Sequence, residues 1–151
     1  MSIVTVTIDI AAPPQAVWDA SMDPENTRSW VTIVKEVGPY DKGPLKVGYR
    51  MDQKLCLRGA TFKVQWTLVE LDAPHFARWE GKGPARSKAV IEDRFTAHGE
   101  GTRFDYSNEF TAPFGPLGAV ASRALVGGIP EKEAKASLKQ LKQQVEAAAR
   151  G

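Results

Sequence analysis

Val4, Val6, Ile8 and Ile10 alternate with Thr5, Thr7 and Asp9, and the same alternation returns segment after segment as far as Thr111. Successive side chains of a strand point to opposite faces, so each such segment predicts a strand with one apolar face. Tyr49 to Leu57 places Tyr49, Met51, Gln53, Leu55 and Leu57 together. Thr61 to Leu71 sets Phe62, Val64, Trp66 and Leu68 against Thr61, Lys63, Gln65 and Thr67. His75 to Gly81 alternates His75, Ala77 and Trp79 with Phe76, Arg78 and Glu80. Ser87 to Ala97 groups Ala89, Ile91, Asp93 and Phe95, and Thr102 to Thr111 groups Phe104, Tyr106, Asn108 and Phe110. Ile33 to Val37 is a shorter candidate. Arg58-Gly59, Asp72-Ala73-Pro74, Gly83-Pro84 and His98-Gly99-Glu100-Gly101 supply the turns between strands, and Gly38 to Pro44 predicts a loop. Strands joined by hairpins run antiparallel. Such a sheet has one dry face, and another element has to cover it.

The covering elements are helices. Pro13-Pro14 ends the first strand, and Pro14 suits a first helical turn because its missing N–H would be unpaired there. Ala16, Val17 and Ala20 give that short helix its apolar side. Asp23-Pro24-Glu25 predicts a second brief helix, capped by Asp23 and ending near Trp30. After Pro113 and Pro116 the period changes to that of a helix. Leu117, Val120, Ala121, Ala124 and Leu125 form one stripe; Ala134, Leu138, Leu141, Val145 and Ala148 form another. The two are out of phase by roughly a quarter to a third of a turn. Gly127-Gly128-Ile129-Pro130 lies between them, and Pro130 removes a helical hydrogen bond. A break or sharp kink is predicted there, with the first segment as a gate. The expectation for residues 1–151 is one α+β domain. It has a curved antiparallel sheet of about seven strands, two short helices after the first strand, and a long, kinked C-terminal helix across the dry face.

Particular stretches carry a family resemblance. The opening VTVTIDIAAPPQAVWDASMDPENTRSW, with Val17-Trp18 on the first helix and Trp30 closing the second, resembles the START-like, or SRPBCC, superfamily. GEGTRFDYSNEF resembles that family's late hairpin, and SLKQLKQQVE the end of its last helix. Within the superfamily the chain is most similar to the bacterial polyketide cyclase/dehydrase-like group. The resemblance covers essentially the whole chain and implies the helix-grip fold, with a deep cavity between concave sheet and last helix. Members bind sterols, lipids, polyketides, isoprenoid quinones or plant hormones; some are cyclases or aromatases, and many only bind. The Gly-Gly-Ile-Pro interruption departs from the family's unbroken helix.

Composition narrows the function classes. A formal net charge of +2, with basic residues spread out, gives no nucleic-acid footprint. One cysteine, Cys56, excludes an internal disulfide, and two histidines with one cysteine cannot build a His/Cys metal site. No cofactor is expected. The N-terminus has neither the basic region nor the apolar run of a signal peptide, and no stretch approaches the roughly twenty apolar residues of a membrane span. The expected location is cytoplasmic. Nothing in the sequence fixes an oligomeric state.

The alternation places Phe62, Val64, Trp66, Trp79, Phe95, Phe104, Tyr106 and Phe110 on the concave face, with Leu125 on the helical side. The bland alternative for each is plain core packing. As a set they suit an apolar ligand pocket with a few placed polar groups. Gln53, Asp93, Tyr106 and Asn108 are those polar groups. A buried polar group costs about 1–3 kcal/mol unless something bonds it. An inward Asp93 would have a raised pKa unless a cation pairs with it; a β-bulge turning it outward is the competing expectation. His75 and His98 read as surface residues. No nucleophile elbow or phosphate loop is present. The leading expectation is a module that binds a small hydrophobic molecule. The alternatives are a polyketide cyclase or aromatase using Tyr106, Asn108 and Asp93, and a protein-interaction module.

Overall fold

A computed structural model describes residues 2–111 and 130–150. Strands β1 (Ser2–Ile10), β2 (Val34–Tyr40), β3 (Arg50–Leu57), β4 (Ala60–Asp72), β5 (Phe76–Lys82), β6 (Lys88–His98) and β7 (Gly101–Thr111) form one sheet. Its order is β1-β7-β6-β5-β4-β3-β2, antiparallel throughout. Chain neighbours from β2 to β7 are sheet neighbours, as the hairpin turns predicted, and β1 adds to the free edge of β7. Helix α1 (Pro14–Met22) and a 3₁₀ helix (Pro24–Ser29) follow β1. Helix α2 (Glu131–Arg150) closes the chain.

Local chemistry accounts for these elements. Pro14 opens α1. Asp23 caps the 3₁₀ helix, its carboxylate accepting the Glu25 N–H at 3.0 Å, with Pro24 at the first position. Arg58 and Gly59 both take positive φ, as a tight hairpin requires. Alternation and burial agree along β3, where Met51, Gln53, Leu55 and Leu57 are buried and Arg50 and Lys54 exposed.

One stretch differs from expectation. Residues 38–44 do not all form a loop: β2 runs through Gly38-Pro39 to Tyr40, with a register shift between Val37 and Tyr40. β2 is an edge strand with an irregular register there, the setting in which a sheet tolerates proline.

Helix α2 buries Ala134, Ser137, Leu138, Leu141 and Val145, a single stripe at helical spacing. Ala148, expected on that stripe, is exposed in the last turn. The helix starts directly after Pro130, whose carbonyl accepts the Ala134 N–H. Polar ties fix its position. Ser137 Oγ accepts the Thr32 N–H at 3.0 Å, and Glu146 accepts the Ala11 N–H at 2.8 Å. Lys142 donates to the Asp9 carbonyl at 2.6 Å. The stripe beginning at Leu117, Leu125 within it, and the predicted break at residues 127–129 lie outside the described residues.

The core between sheet and helices has two ends. At one, Trp18 of α1 meets Phe95 edge-on at 5.7 Å, and Phe95 meets Phe104 at 4.4 Å. Burying side chains of this size contributes about 1.5–3 kcal/mol each. The described residues leave the other end unfilled.

Candidate functional site

That second end contains a partly open cavity of about 110 Å³ between the concave sheet face, the 3₁₀ helix and α2. The sheet contributes Met51, Gln53, Leu55, Trp66, Trp79, Ile91, Asp93 and Tyr106; Trp30, Ile33 and Val34 form another wall; α2 supplies Ala134, Ser137 and Leu138. A second cavity of about 40 Å³ lies beyond Trp66, lined by Phe62, Val64, Asn108, Phe110, Leu57 and Ala89 among others. Trp66, Leu55 and Ile33 border both.

Trp66 is held as the partition. Its ring lies over Gly81, its partner across the β4–β5 ladder, where any Cβ would come within 2.6 Å of the indole. Its Nε1 donates to Gln53 Oε1 at 3.0 Å. Glycine at position 81 therefore makes the space, and Gln53 fixes the ring within it.

Asp93 points inward. The β5–β6 and β6–β7 ladders run through it without a register shift, so no bulge turns it out. Its exposure is 7%, and no described residue hydrogen-bonds or ion-pairs with it. Burial in these apolar surroundings pushes its carboxyl up to about 7. Arg94, its neighbour in sequence, projects from the opposite face, stacked over Phe76 at 4.6 Å. Tyr106 is the direct partner of Asp93 across β6–β7. Its hydroxyl accepts from Asn108 Nδ2 at 3.1 Å, which leaves its own proton to give. Burial raises the phenol's pKa, and the Asp93 charge adds to the rise.

Several other polar groups at the cavity already have partners. Ser21 donates to the Trp18 carbonyl and Thr27 to the Asp23 carbonyl. Thr32 donates to Glu133. Trp30 Nε1 is buried without a partner. Among the described residues no three His, Cys, Asp or Glu side chains gather as metal ligands, and no helix is long and apolar enough to cross a membrane.

The structure divides the residues singled out from sequence. Gln53, Trp66, Trp79, Asp93 and Tyr106 meet at the larger cavity; Phe62, Val64, Asn108 and Phe110 meet at the smaller one. Phe95 and Phe104 line neither, because α1 covers that end of the sheet: Trp18 packs on Phe95, and Phe95 on Phe104. His75 and His98 are exposed. Sequence reasoning missed Met51 and Ile91 as cavity residues, although each stands two positions from a polar candidate on the same strand face. It also missed Trp30, Ala134 and Ser137, which reach the cavity only through the docking of helix on sheet.

Comparison with known proteins agrees with this architecture. The profile of the family described as "Polyketide cyclase / dehydrase and lipid transport" matches residues 1–146. Among curated proteins, "Toxin Rv0910" of Mycobacterium tuberculosis is 26% identical over 133 residues, covering 87% of this chain and 92% of that protein. The uncharacterized protein Rv1546 of the same organism is 27% identical over 139 residues, covering 89% and 95%. Among solved structures, TTHA0849 from Thermus thermophilus superposes with a TM-score of 0.76 at 21% identity, covering 97% of this chain and 98% of that one. At that identity the likeness speaks for the fold alone. With the family profile spanning nearly every residue and the helix-grip sheet beneath it, the chain belongs to the polyketide cyclase/dehydrase and lipid transport family, within the START-like superfamily that its sequence resembles.

Proposed function

We propose that the protein binds a small hydrophobic molecule, of lipid, polyketide or isoprenoid character, in the cavity between the sheet and α2. The observation that carries this is a partly open space of about 110 Å³ with a mostly aliphatic and aromatic wall. Close packing leaves few such voids in a protein interior. An engineered apolar cavity of about 150 Å³ admits benzene, so this space suits a ring or a short branched chain. Native mass spectrometry after mild purification tests the reading, together with displacement of an environment-sensitive dye. Ala134→Leu, which fills the cavity from the helix side, should abolish dye binding while leaving the fold. Undiminished dye binding in that variant would move the site elsewhere.

A second reading is catalytic, and the pairing of Asp93 with Tyr106 favours it. A carboxyl that titrates near 7 is suited to general acid–base work at neutral pH, and the phenol beside it can donate to a carbonyl oxygen. On this reading Asp93 takes a proton from a bound poly-β-keto chain, Tyr106 polarises the ketone, and Asn108 orients the tyrosine. Full cyclisation by Asp93→Ala and by Tyr106→Phe would exclude those roles. A protein-interaction module needs a contiguous exposed apolar patch. The large exposed hydrophobics among the described residues are Ile3, in β1, and Val47, in the turn before β3.

A further inference from the structure

Among the described residues, the charged side chains at the larger cavity are Asp93 and Glu133, both acids. Lys88 lines the smaller cavity instead, beyond Trp66. On β7 Tyr106 faces Asp93, and on β5 Ala77 does. From α2 the titratable group at the cavity is Glu133, held by Thr32. The 3₁₀ helix, the residue that ends it and β2 bring Thr27, Trp30 and Val34, none of them charged. Arg94 and the Arg78–Glu92 pair belong to the other face of the sheet. Asp93 is thus a buried acid without a counter-charge among the described residues, beside a space walled by Trp30, Trp66, Trp79 and Tyr106. Aromatic faces attract cations, most strongly where water is excluded.

We propose that the cavity's ligand is a hydrophobic amine, whose ammonium group pairs with Asp93 while its apolar body packs among the surrounding tryptophans. This rests on the cavity being a binding site. The ligand supplies the counter-ion that no described residue gives Asp93. A neutral ligand would leave that carboxylate unpaired, and an anionic one would face two acids. Tyr106, with its proton free, takes an oxygen on the same ligand where one is present.

The test uses three probes that differ mainly in charge: benzylamine, benzyl alcohol and phenylacetate, titrated against the intact protein with the tryptophan indole N–H signals as readout. At about pH 8 benzylamine should bind roughly tenfold or more tighter than benzyl alcohol, and phenylacetate weakest, since desolvated charge pairs commonly exceed that margin. Benzylamine stays cationic from about pH 5.5 to 8. Over that range its affinity should rise with pH by up to roughly thirtyfold as Asp93 ionises, because only the ionised form pairs. Asp93→Asn should remove both the preference and the pH dependence, and its fold can be checked by amide spectra. Equal or tighter binding of the alcohol overturns the amine inference and leaves the cavity as a site for neutral ligands. So does a preference that survives in Asp93→Asn. Binding of none of the three probes overturns the cavity reading, and the amine inference with it.

Discussion

Asp93 and Tyr106 stand directly opposite each other across β6 and β7, and both side chains enter the same cavity. Their proximity is set by backbone register, for no hydrogen bond joins them: Tyr106 accepts from Asn108, and Asp93 has no partner among the described residues. Directly paired positions hold their Cβ atoms about 4.5–5.5 Å apart. The ladder therefore fixes an acid and a phenol at one point of an otherwise mostly apolar wall, with each free to serve a third group.

An unpaired buried acid makes stability depend on pH. The folded state raises the Asp93 carboxyl from an ordinary 3.8 to about 7. The folded protein therefore holds a proton that the unfolded chain gives up between those values. The Asp93 contribution is greatest below about pH 4, falls as pH rises towards 7, and levels off above it, while Glu146, whose carboxyl is held low by Lys142 and the Ala11 N–H, works in the opposite sense in acid. The loss is at most about 4 kcal/mol, from 1.36 kcal/mol for each decade of pH. Urea unfolding at several pH values should show this fall, and Asp93→Asn should flatten it and be the more stable protein at pH 8. A wild-type curve flat from pH 4 to 8 would mean that Asp93 is solvated.

The Trp66 indole makes a different demand. Its N–H is satisfied by Gln53 alone among the described residues. Gln53→Leu keeps most of the volume and leaves that donor buried and unpaired, at a cost of about 1–3 kcal/mol. Adding Trp66→Phe, which removes the donor, should recover part of this loss. A double-mutant cycle with zero coupling would show that the hydrogen bond contributes nothing.

The sequence made the sheet legible because its code is local. Each strand needs only alternation and a turn, so Gln53, Trp66, Asp93 and Tyr106 were placed on the inner face from β3, β4, β6 and β7 separately. Whether an inner-face residue meets ligand space or a neighbouring side chain depends on what docks above it, and alternation carries no such information. Phe95 and Phe104 share a face with Asp93 and Tyr106, yet Trp18 closes over Phe95, which packs on Phe104. The family resemblance supplied the idea of a cavity. The division of that cavity by Trp66 depends on a glycine one strand away, a relation that appears only once β4 and β5 are in register.

Gly101 starts β7 beside the end of β1. A Cβ there would overlap the Ile10 carbonyl oxygen, which is backbone and cannot rotate aside. The same corner holds the buried hydrogen bond from Thr102 Oγ1 to the Ala12 carbonyl, 2.7 Å long. Gly101→Ala should therefore separate the two chain segments and cost about 1–3 kcal/mol, the range for overpacking a tight site. Gly99, with open space around its Cβ position but a φ of +61°, is the control: Gly99→Asn should be near neutral, since asparagine tolerates that conformation. Equal losses at both positions, read from urea midpoints, would mean that the hairpin rather than the contact with β1 is responsible.

The partition itself makes the last prediction. Trp66 separates spaces of about 110 and 40 Å³, and Leu55 and Ile33 border both sides of it. Removing the indole should join them into one longer chamber reaching Asn108 and Phe110. Trp66→Ala should lower stability by about 3–5 kcal/mol, as large truncations in a core do, so binding has to be measured well below the unfolding midpoint. In a series of straight-chain alcohols the preferred chain should lengthen in Trp66→Ala. Trp66→Phe keeps a ring over Gly81 and loses only the hydrogen bond to Gln53, so its preference should stay close to wild type. If both variants lengthened the preferred chain equally, the hydrogen bond rather than the ring would set the limit. If neither did, the two spaces would already act as one.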